Sequence, residues 1–142
     1  MYLKIIIIIY LKMSANLLTS FNDHFVDFIS DIQSVFPEDK DVLTAKNSLL
    51  TIRKANPKMI VKIWNTFIVG KYRSEIEDGN LEFFINKDYN QDFSDSENND
   101  RIMEAINRLR NPVSEMSQEN QQKTMKYIQN LTKLSLLYEG LN

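Results

Sequence analysis

Cysteine is absent from this sequence, and glycine, proline and histidine are rare. Without cysteine, the chain cannot form disulfides, zinc ribbons, cysteine-ligated iron–sulfur clusters or a thiol nucleophile. Three glycines spread along the chain cannot make a glycine-rich phosphate loop. One histidine gives no histidine-based zinc site. These absences exclude most common catalytic centres, so we expect no enzyme activity and no bound cofactor or metal.

Length and charge are those of an ordinary small domain. The 142 residues suffice for one domain that buries about two-thirds of the surface of its unfolded chain. A formal net charge of -2 gives no electrostatic reason to expect strong binding to nucleic acid. Isoleucine, asparagine and lysine are abundant and are encoded by A/T-rich codons, which indicates an A/T-rich genome.

The segment 1–12, MYLKIIIIIYLK, is an apolar run bracketed by lysines. Its core, Ile5 to Leu11, is much shorter than the ~20 residues that span a bilayer. A signal peptide needs a small-residue cleavage site, and Ser14-Ala15-Asn16 is a poor one. The favoured interpretation is a disordered tail or a misassigned start, with Met13 as the natural beginning. A weak membrane anchor and a signal peptide are the alternatives.

Residues 13–142 predict an all-α, single-domain bundle of about five helices. Apolar side chains recur at three- and four-residue spacing along most of this region. The first stripe consists of Leu18, Phe21, Phe25, Phe28, Ile29, Ile32 and Phe36. The predicted helices cover about 16–36, 39–55, 57–77 with a kink near Gly70, 100–111 and 117–140. Caps are expected at Asn56 and Ser117, and a stop at Asp78-Gly79-Asn80.

Two segments between these helices are less regular. Residues 81–89 suit either a short helix or a buried extended segment. Residues 90–99 are polar and acidic, and we predict a mobile surface loop. Asp88, Asn90 and Asp92 have the spacing of a calcium loop, but Phe93 replaces its glycine and Asn99 its bidentate glutamate. We therefore expect a solvated loop and no metal.

Two sets of side chains on the first and third helices are candidates for a site. His24 is expected on the surface, in a loose pairing with Asp27, since nothing in the sequence marks a serine nucleophile for it to activate. Phe21, Phe25 and Trp64 suit a core, yet aromatic residues of a helical domain can also line a groove for a partner's helix. We take these three as the candidate partner surface.

A mildly basic character of the C-terminal helices gives an alternative function. Basic side chains near Tyr127 could contact nucleic acid, although Glu104, Glu115 and Glu119 dilute their field. The candidate contacts are Arg101, Arg108, Arg110, Lys123 and Lys126.

Several short motifs follow one another in a recognisable order. They are Ala55-Asn56-Pro57-Lys58, the stretch from Glu82 to Tyr89, Met116-Ser117-Gln118-Glu119-Asn120, Lys126-Tyr127-Ile128 and Leu134-Ser135. This succession, from about Phe21 to Ser135, resembles small helical proteins of unknown role from giant nucleocytoplasmic DNA viruses of the mimivirus and phycodnavirus kind. The resemblance implies a viral setting, in the virion or the infected host cytoplasm, and supplies no catalytic residues.

The leading hypothesis from the sequence is a non-enzymatic protein–protein interaction domain of a large DNA virus. Its partner would be a viral or host protein. A nucleic-acid accessory factor that uses the basic C-terminal helices is the alternative, and a membrane role is expected only if residues 1–12 form an anchor.

Overall fold

The computed structural model describes residues 2–86 and 97–141, without the side chains of residues 97–99. Their helices are α1 (Tyr2–Val35), α2 (Lys40–Ala55), α3 (Met59–Ile63), a π-helical segment (Trp64–Val69), α4 (Gly70–Glu77), α5 (Glu82–Asn86), α6 (Glu97–Ser114) and α7 (Gln118–Leu141). No strand occurs in the described ranges, so the expected all-α class is confirmed. Because α3, the π segment and α4 are continuous, these ranges hold six helical runs where about five were expected.

Helix α1 begins far earlier than the sequence pattern indicated. It starts at Tyr2 and includes the segment expected to be a disordered tail. No glycine or proline interrupts the chain before Pro37, and extending an existing helix needs only one more hydrogen bond for each residue fixed. The apolar run therefore continues the helix that the buried stripe stabilises.

Ser117 caps α7 as predicted, Asn56 does not cap the third helix, and Asp39 provides a cap that was not predicted. Asp39 Oδ1 accepts hydrogen bonds from the backbone N–H groups of Asp41 and Val42 at 2.9 and 3.1 Å, which fixes the start of α2. Ser117 Oγ accepts from the N–H of Asn120 at 3.2 Å at the start of α7. Asn56, expected to cap the third helix, ends α2 and accepts from the N–H of Lys58 at 3.2 Å.

The stop predicted at residues 78–80 has a defined geometry. Gly79 has a φ of 72°, in the left-handed region that a side chain disfavours. The N–H of Gly79 donates to the carbonyl of Ile76 at 3.1 Å, and the N–H of Asn80 to that of Glu75 at 2.8 Å. This pair of bonds is a Schellman motif, which ends α4 and turns the chain toward α5.

The kink expected near Gly70 is present but begins earlier. The π segment holds one extra residue per turn, and beyond it Tyr72 has non-helical dihedral angles, φ −124° and ψ 21°. Trp64 and Ile68 in the π segment and Ile76 in α4 are all buried.

Helix α6 differs from its predicted bounds at both ends. It begins at Glu97, so residues 97–99 are helical where a loop was predicted, and the rest of that loop and the calcium-like spacing at 88–93 lie outside the described residues. It continues past Pro112 to Ser114. A proline removes one hydrogen bond from the helix, and α6 ends two residues after it.

The core is one buried cluster with side chains from every described helix. Helix α1 packs most extensively on α7, and α2 on α6, while α3 and the π segment lie between these pairs. An aromatic group occupies the centre: the Trp64 ring lies 5.6 Å from the ring of Phe25 and 6.4 Å from that of Phe21, both edge-on. This core holds the C-terminal half of α1, and among the described residues no other element covers its first turns.

Candidate interaction surfaces

The aromatic residues proposed as a partner surface are inside the protein. Phe21, Phe25 and Trp64 are 0, 1 and 1% exposed, so they cannot contact a partner in this structure, and that expectation is wrong. Trp64 also donates through Nε1 to the hydroxyl oxygen of Thr132 on α7 at 3.2 Å. Helix α7 covers the apolar stripe of α1, so these aromatic residues belong to the core.

Exposed apolar side chains gather at one end of the molecule instead. Among the described residues, the exposed large apolar side chains are Tyr2, Leu3, Ile5, Ile6, Ile7, Ile8, Ile9, Tyr10, Leu11, Met13, Leu50 and Leu137. Ten of them belong to residues 2–13, which we call the N-terminal apolar segment. Its five isoleucines are each about half exposed, from 46 to 56%. An exposed apolar surface of this extent marks a binding site or an aggregation-prone surface.

Two open grooves lie where this segment meets the folded body. One, of about 350 Å³, lies between α1 and the end of α7 and includes Met13, Leu17 and Leu137. The other, of about 470 Å³, lies between α1 and α2 and includes Leu18 and Leu50. The two exposed leucines of the body thus adjoin α1 from opposite sides. Together the segment and the grooves form one apolar end.

The same helix also stands out by its length and composition. Of the helices in the described ranges, α1 is the one long and apolar enough to cross a membrane, when judged by length and composition, and a signal sequence passes the same test. None of the qualifying stretch is buried within the fold.

The five basic residues proposed to contact nucleic acid have different surroundings. Arg108 pairs with Asp41 of α2 at 2.8 Å and with Glu104 at 3.1 Å, so its charge is compensated. Lys123 and Lys126 line a groove beside α1. Arg101 is exposed and Arg110 half-buried on α6. Nothing in this arrangement adds support to nucleic-acid binding, which stays a prediction that a gel shift at low salt would test.

The groove beside Lys123 brings several titratable side chains together. It has a volume of about 370 Å³ and includes His24, Asp31, Tyr127 and Lys126. The His24 ring is half-buried and lies 5.0 Å from the Tyr127 ring, which stacks on Phe28 at 5.5 Å. His24 is therefore packed on an aromatic ring, where a solvated surface histidine was expected.

Burial shifts the pKa values of His24 and Tyr127 in this groove. It lowers the pKa of His24, and the nearby Asp27 carboxylate opposes the shift. Burial also raises the pKa of Tyr127, with the charges of Asp31 and Asp27 acting in the same direction. At neutral pH both rings are therefore uncharged. In the described ranges, no three histidine or carboxylate side chains come together to hold a metal ion.

The lowered pKa of His24 makes stability depend on pH. Because the pKa of His24 in the folded protein lies below its ordinary value of 6.5, the unfolded chain binds a proton first as pH falls. Stability contributed by the neutral ring is present above about pH 6.5 and declines as pH falls through that value toward the folded pKa. We expect the His24→Gln variant to lack this decline.

Because the chain has a single histidine, an NMR titration of its ring proton measures this pKa directly. A folded-state pKa at or above 6.5, or a pH profile of stability that His24→Gln leaves unchanged, would contradict the packing described for this ring.

No protein-family model matches the chain, and no curated protein or solved structure is significantly similar to it. The resemblance to small helical proteins of giant viruses therefore stays a prediction from the sequence motifs.

Proposed function

We propose that this chain is a non-enzymatic interaction protein that docks through its apolar end. The observation that carries the proposal is the concentration of exposed apolar side chains on residues 2–13 and on the two leucines beside them. Water leaves such a surface when a partner covers it, with a gain of roughly 25 cal/mol per Å² of apolar area. The folded body then acts as the rigid support of one long helix.

The rest of the described surface supports binding over catalysis. The polar groove combines a histidine, a tyrosine, a carboxylate and two lysines, but no nucleophile is hydrogen-bonded to His24 in the way that a serine–histidine mechanism needs. The charged pairs on the body, such as Arg73 with Glu77 and Arg53 with Asp23, lie on exposed surfaces. Such pairs are ordinary features of a solvated surface.

The proposal is tested by weakening the apolar end without disturbing the core. The variant Ile6→Asn with Ile7→Asn changes two half-exposed residues, so we expect normal folding and a loss of partner capture from cells that make the protein. Thr44→Asn with Lys62→Asn is the matched control, because both positions are exposed on the body. Equal capture by all three proteins, or turnover of a small molecule by the purified chain, would exclude this function.

The proposed setting is the virion or the infected host cytoplasm of a large DNA virus, supported by the motif resemblance and the A/T-rich coding. A viral or host protein is the partner expected from the sequence. Mass spectrometry of purified virus particles would test the setting. Peptides that contain Ile5 to Ile9 would also exclude a start at Met13 and a cleaved signal peptide.

A further inference from the structure

The N-terminal apolar segment is apolar on every side. Successive residues of an α-helix are turned by about 100°, so the five isoleucines from Ile5 to Ile9 point in all directions around the axis. Each of them is about half exposed. A protein groove or a second copy of the helix covers one face and leaves the opposite face in water. A fluid apolar phase adapts to the helix and covers apolar side chains that point in several directions.

The charges of this segment are all of one sign. Between residues 2 and 22 the charged side chains are Lys4 and Lys12, and the first carboxylate is that of Asp23. Eight residues apart, the two lysines lie about 80° from each other around the helix and about 12 Å apart along it. They therefore form one basic edge on an otherwise apolar rod. Anionic lipid headgroups attract such an edge.

The length of the segment decides how deeply it can enter. From Ile5 to Leu11 the rise is about 10 Å, against a hydrocarbon core about 30 Å thick. A spanning position would carry the Lys12 ammonium into the hydrocarbon, which is costly. Insertion into one leaflet keeps the lysines near the headgroups, where Tyr2 and Tyr10 are also favourable.

We propose that the apolar end binds the surface of an anionic lipid bilayer, with residues 2–13 inserted into one leaflet. This inference rests on the proposed function and names the partner of the same surface. Because α1 is one continuous helix from Tyr2 to Val35, insertion of its first turns holds the folded body at the membrane. Leu50 and Leu137 are exposed in the grooves beside α1, next to this segment.

Flotation with vesicles tests the inference on the full chain. Wild type is expected to float with vesicles of equimolar phosphatidylserine and phosphatidylcholine, and at least about tenfold less with phosphatidylcholine alone, since each lysine adds to binding only at an anionic surface. Ile6→Asn with Ile7→Asn should weaken binding to the anionic vesicles by about tenfold or more, because binding strength scales with buried apolar area.

A charge-matched pair of variants separates the basic edge from net charge. Lys4→Glu with Lys12→Glu should reduce binding to anionic vesicles by about tenfold. Lys62→Glu with Lys133→Glu changes the net charge equally at exposed positions of the body and should bind as wild type does. Equal losses in the two variants would mean a diffuse attraction without the proposed edge, and would overturn the inference.

The remaining outcomes distinguish this inference from the proposed function. If wild type does not float but is a dimer that Ile6→Asn with Ile7→Asn converts to a monomer, the occupant is a second copy and the lipid inference fails. If wild type does not float but captures a protein through the same isoleucines, docking stands and the lipid inference fails. If the isoleucine variant matches wild type in all three assays, both fail.

Discussion

Replacing Trp64 by alanine is expected to lower the free energy of unfolding by about 4 kcal/mol. The ring is 1% exposed and makes edge-on contacts with Phe21 of α1 and Phe25 one turn later. Its Nε1 also donates to Thr132 of α7. Truncation would therefore leave a cavity between α1, α7 and the π segment, and would leave the Thr132 hydroxyl without this donor.

Urea denaturation followed by far-UV circular dichroism measures this loss, since the variant has no tryptophan fluorescence. Trp64→Phe should cost less, about 1 to 2 kcal/mol, because it retains most of the ring and loses the hydrogen bond. Leu137→Ala is the control: that side chain is 59% exposed, and its loss should change stability by at most about 0.5 kcal/mol. A loss for Trp64→Ala as small as that of the control would refute the central position of this ring.

Replacing Phe84 by alanine is expected to cost about 3 kcal/mol and to release α5 from the body. A helix of five residues is not stable by itself in water. Phe84 is fully buried, and its helix packs on α6. A further local support is Asn80, whose Oδ1 accepts from the N–H of Glu82 at 3.0 Å. Without the Phe84 ring, this cap and the partly buried side chains of Leu81, Phe83 and Ile85 would have to hold the segment.

Hydrogen exchange distinguishes this release from general destabilisation. In Phe84→Ala the amides of α5 should lose protection well before those of α7 do. Phe83→Ala is the matched control, since the Phe83 ring is half-buried and stacks on Tyr72 at 4.9 Å. We expect that control to cost about 1 kcal/mol and to keep α5 protected. Equal protection of α5 in both variants would contradict the role given to Phe84.

The helices with a one-sided apolar stripe were predictable because periodicity requires only local sequence. The stripe of α1 and the cap at Ser117 belong to this class. What the stripe packs against was not predictable. The sequence shows that Phe21 and Phe25 share a face, but only the fold shows that α7 covers it. Their assignment as a partner surface failed for that reason.

The first turns of α1 and the π segment were not predicted from the sequence, for two different reasons. Residues 2–13 have apolar side chains on all sides, so they show no amphipathic period to recognise. A π-helix has one extra residue per turn compared with an α-helix. No residue type between Trp64 and Val69 indicates such an insertion.

The interaction surfaces were predictable only in part. The isoleucine run was visible as a weak anchor, whereas the two grooves beside it bring Leu50 and Leu137 to α1 from distant parts of the chain. Likewise, the pairing of Arg108 with Glu104 follows from four-residue spacing on one helix. Its pairing with Asp41, 67 positions away, depends on α2 and α6 being neighbours.

The pairing of α1 with α7 has a consequence for biosynthesis. Helix α1 leaves the ribosome first, whereas α7, on which it packs, leaves last. Contacts between segments so distant along the chain form late and slowly. Until α7 has been translated, the side of α1 that α7 covers in the folded protein stays exposed. Throughout that interval the apolar helix α1 is exposed on the nascent chain. Chaperones or a nearby bilayer can therefore bind it before the native protein has folded.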